Sequence, residues 1–149
     1  MKSLFQREAL DEVMVRIEKL HPASPREWGK MDVAQMMAHC AATFEVASGR
    51  VVLPRMLIGR ILGPFVRAGF TNDKPFSRNG PTHRTFVITG QRDFAREREQ
   101  LKERVRRFHE GGEAQCTKHP HAFFGPLTKQ EWGIGMYKHL DHHLRQFGV

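Results

Sequence analysis

Long uninterrupted apolar runs are missing from this 149-residue chain, which also has only two cysteines and one tyrosine. The most apolar stretch, Val51 to Phe70, is broken by Arg55, Arg60 and Arg67 and by Pro54 and Pro64, which excludes a membrane span. Cys40 and Cys116 stand far apart and match neither a Cys-x-x-Cys motif nor a disulfide scaffold, so a reduced, cytoplasmic setting is expected. The opening MKSLFQREALDEV carries acids and no apolar core run, and no signal peptide is expected there. With no alternation of aromatic and basic residues there is no base-stacking platform, and specific nucleic-acid binding is not expected. Acids are also scarce: 16 Asp and Glu against 24 Lys and Arg leave a net charge of +8. Much of that excess is interleaved with acids, as in Arg92 to Glu99 and the Glu103–Arg107 pair, and reads as a solvated helix face. An anionic small-molecule partner stays open.

What is present is helical periodicity. A chain of this length should form one domain, residues 1–149, with a core that needs no metal or disulfide support. Ser3 is placed to cap a first helix running to about Leu20, with Leu10, Val13, Met14, Ile17 and Leu20 on one face. Asp32 and Gln35 match the capping-box pattern ahead of a second helix to Ser48, which buries Val33, Met36, Met37, Cys40, Phe44 and Ala47. A short helix from Pro54 to about Gly63 follows; lying across the end of a bundle is the preferred reading, resting on a membrane surface the other. Thr71 to Thr89 has turn formers, basic side chains and an extended run expected at Thr85–Thr89. A loop of that length in a compact domain tends to be functional or disordered. A third long helix covers about Gln91 to Glu110, with Gly111–Gly112 as its stop. Thr128-x-x-Glu131 opens the last one, with Trp132, Met136, Leu140, Leu144 and Phe147 as its stripe.

Four amphipathic helices predict an all-α, four-helix bundle. The first and last links are short, whereas about 40 residues join the second helix to the third, enough for a long crossover and an up-down-down-up topology. In that topology the second and last helices are antiparallel. His39 lies about 10 Å below the start of the second helix, and His139 and His143 about 12 and 6 Å from the end of the last. All three fall at one level, each on the shoulder of its apolar stripe. Three neutral imidazoles suit a divalent ion, zinc or nickel, and leave coordination positions for water or a thiol. Gln146, Asp32 and Thr43 are placed to orient a ring from behind. Lys74, His83 and Arg84, on the loop that returns to this end, are the candidates for binding an anionic substrate. Cys40 and Trp28 read as packing residues, His142 as a solvent-side residue, and His119 and His121 as a loop-structuring pair at the opposite end.

His139-x-x-x-His143-x-x-Gln146 closing the last helix, with His39 in the second, resembles the DinB/YfiT-like superfamily of metal-binding four-helix bundles. The phrase His119-Pro120 … Phe124-Gly125-x-Leu127-Thr128 … Glu131-Trp132 … Tyr137-Lys138-His139 is closer still to one branch, catalogued as a domain of unknown function. The resemblance implies the same topology and a divalent metal on His39, His139 and His143. Some members of the superfamily use that metal in transfer or isomerisation reactions dependent on low-molecular-weight thiols. Many relatives place Glu directly after the first histidine of the last helix, where this chain has Leu140. The leading expectation is therefore a metal-dependent transferase or hydrolase with no assigned catalytic side chain. The alternatives are a non-catalytic metal-binding interaction or stress-response protein, and a basic module for nucleic acid or membrane surfaces. Whether the bundle is a monomer or a homodimer is left open.

Overall fold

The computed structural model of the chain describes all 149 residues. It is all α, with helices α1 (Arg7–Glu18), α2 (Val33–Ala47), α3 (Leu57–Val66), α4 (Ala68–Thr71), α5 (Phe94–Gln115) and α6 (Lys129–Gln146), one 3-10 turn at Arg84–Phe86 and no strand. The four long helices are the four amphipathic segments of the sequence. Contacts join α1 to α5 and α6, and α2 to α5 and α6, around one core that includes Val13, Ile17, Met36, Phe44, Leu101, Val105, Leu140 and Leu144. Each buried leucine contributes roughly 2 kcal/mol relative to exposure.

Both capping boxes form. Asp32 accepts from the Gln35 backbone while Gln35 accepts from Asp32, and Thr128 and Glu131 make the same exchange. The start of α1 departs from expectation. Gln6, not Ser3, precedes the first helical turn and makes no side-chain cap. Leu4 is fully buried and its N–H donates to the Gly133 carbonyl, so docking of residues 3–6 against α6 outweighs an early helix start. The third long helix begins at Phe94, capped by Asp93, and breaks at Gly112 (φ 51°, ψ −154°), inside the glycine pair that the sequence marks as a stop. In place of an extended run at Thr85–Thr89 there is the 3-10 turn, tightened by His83 Nδ1 accepting from the Thr85 N–H.

Residues 49–93 cross from α2 to α5 and touch the core at few places. The Phe70 ring is the main anchor. It packs against Trp132, Phe124 and His121 and fills a notch at Gly135, where an added Cβ would come within 1.9 Å of the ring. Lys138, only 8% exposed, reaches from α6 to the end of α4 and donates to the carbonyls of Gly69 and Asn72 and to Asn72 Oδ1. Arg67 and Glu131 pair across the same junction. The short helix α3 starts three residues after Pro54 and runs on through Pro64 to Val66, just past the expected end near Gly63–Pro64. No helix is long and apolar enough to cross a membrane.

Candidate metal centre

His39 comes from the middle of α2, His139 and His143 from consecutive turns of α6. A spacing of four puts the α6 pair on one side of that helix, and the α2–α6 packing brings His39 between them. Ring centroids are 5.1 Å apart for His39–His139, 4.7 Å for His39–His143 and 4.7 Å for His139–His143. One ligand atom from each lies within 4.8 Å of the others, close enough together to hold one metal ion. His39 and His143 are buried at 3% and 8% exposure; His139 is half-buried.

The partners of the outward ring nitrogens decide what the inward ones can do. His39 Nδ1 lies 2.8 Å from the Phe86 carbonyl oxygen, which can only accept, so that nitrogen carries the proton. Gln146 Nε2 donates to the Trp28 carbonyl at 2.7 Å. That turns the amide oxygen toward His143, whose Nδ1 donates to it at 2.8 Å. Thr43 gives its hydroxyl proton to the Cys40 carbonyl at 2.7 Å and offers a lone pair toward His139 Nδ1 across a longer 3.5 Å contact. His39 and His143 are thereby set as Nδ1–H tautomers, with a lone pair on each Nε2.

The Nε2 lone pair of His39 faces His139 Nε2. His39 Nε2 and His139 Nε2 are 3.1 Å apart: a proton on His139 Nε2 bridges them, and a cation beside both would take its place. The edge of a tetrahedral zinc site with bonds of 2.0–2.1 Å is about 3.3 Å, so the spacing fits that use. Burial holds all three imidazoles below their ordinary range, His143 at about 3. For His139 the charges of His143 and His39 add to the effect of burial. The rings are neutral near pH 7, the form that binds metal. Nδ1 acceptors behind each ligand are what metal sites use to fix ring orientation.

The remaining sequence candidates fall into two groups. Gln146 and Thr43 meet the histidines directly, as above. The Asp32 carboxylate is taken by the Gln35 N–H at the start of α2 and makes no hydrogen bond to a ring, because capping directs it along its own helix. On the crossover loop, His83 packs edge-on against Phe86, 5.9 Å between centroids, the residue whose carbonyl meets His39. Lys74 and Arg84 are exposed, and neither bonds to a histidine.

Sequence reasoning missed three contributors. The carbonyls of Phe86 and Trp28 are backbone atoms in irregular segments, which no residue pattern announces. Gly29 is the third. With φ at 82°, it is so close to Gln146 that a Cβ would come within 2.4 Å of the amide nitrogen; a Trp-Gly pair in a connector was the available signal. His142 also needs correction. It is half-buried rather than solvent-side, packed against Trp28 at 5.4 Å and Phe76 at 5.9 Å, because the crossover loop covers that face of α6. Arg78 lies 4.3 Å over the Trp28 ring on the same side. His121 does structure its loop, accepting from the N–H groups of Phe123 and Phe124. Cys40 is fully buried, its thiol pushed upward by burial, as a packing residue should be.

No curated protein and no solved structure matches the chain. One family model does, over residues 2–148, nearly the whole length. The chain belongs to the family described as "Protein of unknown function (DUF1569)".

Proposed function

We propose that this chain is a DinB/YfiT-like four-helix bundle, running up-down-down-up, that binds one divalent ion, zinc or nickel, through His39, His139 and His143. Its reaction in this reading is a thiol-dependent transfer or a hydrolysis on a small anionic molecule. The observation that carries the proposal is the set of three buried or half-buried imidazoles that bring one ring nitrogen each within 4.8 Å of the others, with acceptors behind His39 and His143. A divalent ion there would supply Lewis acidity toward water or a thiol. The chain's own residues do the rest. Phe86 and Gln146 hold His39 and His143 in one tautomer, and the Thr43 hydroxyl lies beside His139. Arg78 over Trp28 places positive charge beside His142, and Lys74, His83 and Arg84 extend it along the loop. Leu140 occupies the position after His139 where a general base would otherwise be sought, so no catalytic side chain is assigned on α6.

A second reading, an ion held for structure or interaction alone, is favoured by the near-complete burial of His39 and His143. Protein purified without a His tag and loaded with cobalt separates the two. One ion per chain is expected, with affinity falling more than about 100-fold in His39→Ala, His139→Ala and His143→Ala, since even outer partners are worth 10–100-fold. A cobalt spectrum that shifts on adding a low-molecular-weight thiol supports the enzyme; an unresponsive spectrum with tight binding supports the structural ion. Absence of binding overturns both.

A further inference from the structure

The crossover helix α3 is turned the wrong way round for a core helix. Leu57, Ile61 and Phe65 are 78%, 67% and 83% exposed, and Ile58, Leu62 and Val66 are exposed beside them. Its buried side consists of Gly59 and Gly63. These rest on the backbone of Phe123, where a Cβ would meet the Phe123 carbonyl oxygen at 2.6 Å and 2.2 Å. Only glycine permits that approach, so the contact fixes the rotation of α3 about its axis. At 100° per residue the six large side chains occupy one half of the helix circumference, and the glycine contact aims that half outward. Val51 and Val52, just before the helix, are exposed as well.

Charge restricts what can cover this face. Between Glu45 and Asp73 there is no acid, while Arg50, Arg55, Arg60 and Arg67 are all present. Arg67 is neutralised by Glu131; Arg50 and Arg60 are exposed without an ion pair. A second copy docked symmetrically would bring the same arginines together on a chain already at +8. A surface combining apolar depth with negative charge at its edge suits both features. Such helices lie in the plane of a membrane, apolar side in the acyl boundary and basic residues among anionic headgroups.

We propose that α3, with Val51 and Val52, is a docking face for anionic phospholipid bilayers, holding the bundle at the membrane surface without crossing it. The inference does not depend on the metal centre. The test is co-sedimentation of the full chain with phosphatidylcholine vesicles and with phosphatidylcholine–phosphatidylglycerol vesicles. Binding is expected to the mixed vesicles, weakening as salt screens the arginines. It should fall at least about tenfold in the Leu57→Ser/Phe65→Ser double variant, which gives up two buried apolar side chains, and about fivefold in Arg60→Gln. Unchanged melting temperatures would show that both variants are folded. Equal sedimentation with neutral and anionic vesicles, or none with either, overturns the proposal. So does a double variant that binds like wild type, or a wild-type dimer that this variant makes monomeric.

Discussion

The seam between α2 and α6 and the crossover between α2 and α5 solve opposite problems. In the seam, polar side chains are buried and nearly every one is matched. His39, His143 and Gln146 are each below 10% exposed, and each has a partner at 2.7–2.8 Å. In the crossover, apolar side chains are exposed and the buried positions of α3 are glycines. A buried polar group is tolerated only when bonded, so the seam holds His39 and His143 in defined tautomers. An apolar face left in water has no such local remedy and asks for an outside partner. The two regions meet at Phe70 and Lys138, which fasten the crossover to α6.

Breaking that joint should have the largest effect. Gly135→Val puts side-chain atoms where the Phe70 ring lies, since even a Cβ would approach to 1.9 Å. The ring must leave its pocket beside Trp132 and His121. Overpacking of this kind costs about 1–3 kcal/mol and losing a buried phenylalanine about as much again. A loss of roughly 3–5 kcal/mol in urea unfolding is expected, with faster hydrogen exchange in residues 57–90 than in α2. Equal loss of protection in both regions would mean that the crossover is no separate unit.

Acid should come next. His121 and His143 are held by burial at about 4 and about 3, whereas an unfolded histidine titrates near 6.5. Below that value the unfolded chain binds more protons than the folded one. Stability is therefore intact above about pH 6.5 and declines as pH falls toward the folded values. For His121 the decline is on the order of 2–3 kcal/mol by pH 4. His121→Asn keeps an acceptor for the N–H groups of Phe123 and Phe124 and removes the titration. The slope of melting temperature against pH between about 6 and 4 should then flatten; an unaltered slope would place the acid sensitivity elsewhere.

Much of the seam was legible in the sequence because helical geometry is periodic. A spacing of four fixes His139 and His143 on one side of α6, and a rise of 1.5 Å per residue brings His39 to their level. Asp32 and Thr128 announce their helices through side chains that cap. The crossover obeys no such period. That Phe86 would turn its carbonyl to His39, or that His142 would be covered by Trp28 and Phe76, depends on loop backbone that turn-forming residues permit without specifying. For α3 the pattern itself was readable, but periodicity finds an apolar face without telling which way it looks. Gly59 and Gly63 settle that, and only through the backbone of Phe123 sixty residues further on.

The outer contacts of the candidate metal centre give a smaller, sharper test. Gln146→Leu removes the acceptor from His143 Nδ1 and leaves the Trp28 carbonyl without its donor. Gly29→Ala acts on the same amide from the other side, through both the 2.4 Å approach and the positive φ. Each should weaken cobalt or zinc binding about 10–100-fold while the three ligands stay in place. Asp32→Asn, by contrast, keeps its cap and should leave affinity unchanged, as its carboxylate bonds to Gln35 rather than to a ring.

The smallest effect is the most telling for the crossover. Phe65→Ser removes the most exposed large side chain of α3, at 83% exposure. If that face has no intramolecular role, chemical-denaturation stability should change by less than about 0.5 kcal/mol, as for surface sites generally. A buried phenylalanine such as Phe44 would cost about 3–5 kcal/mol on truncation. Solubility at high concentration should rise as the apolar patch shrinks. A stability loss above about 1 kcal/mol in Phe65→Ser would mean that α3 folds its apolar side onto the bundle in solution. The contrast between a self-satisfied seam and an outward-facing crossover would then fail at its second half, while the metal centre would be untouched.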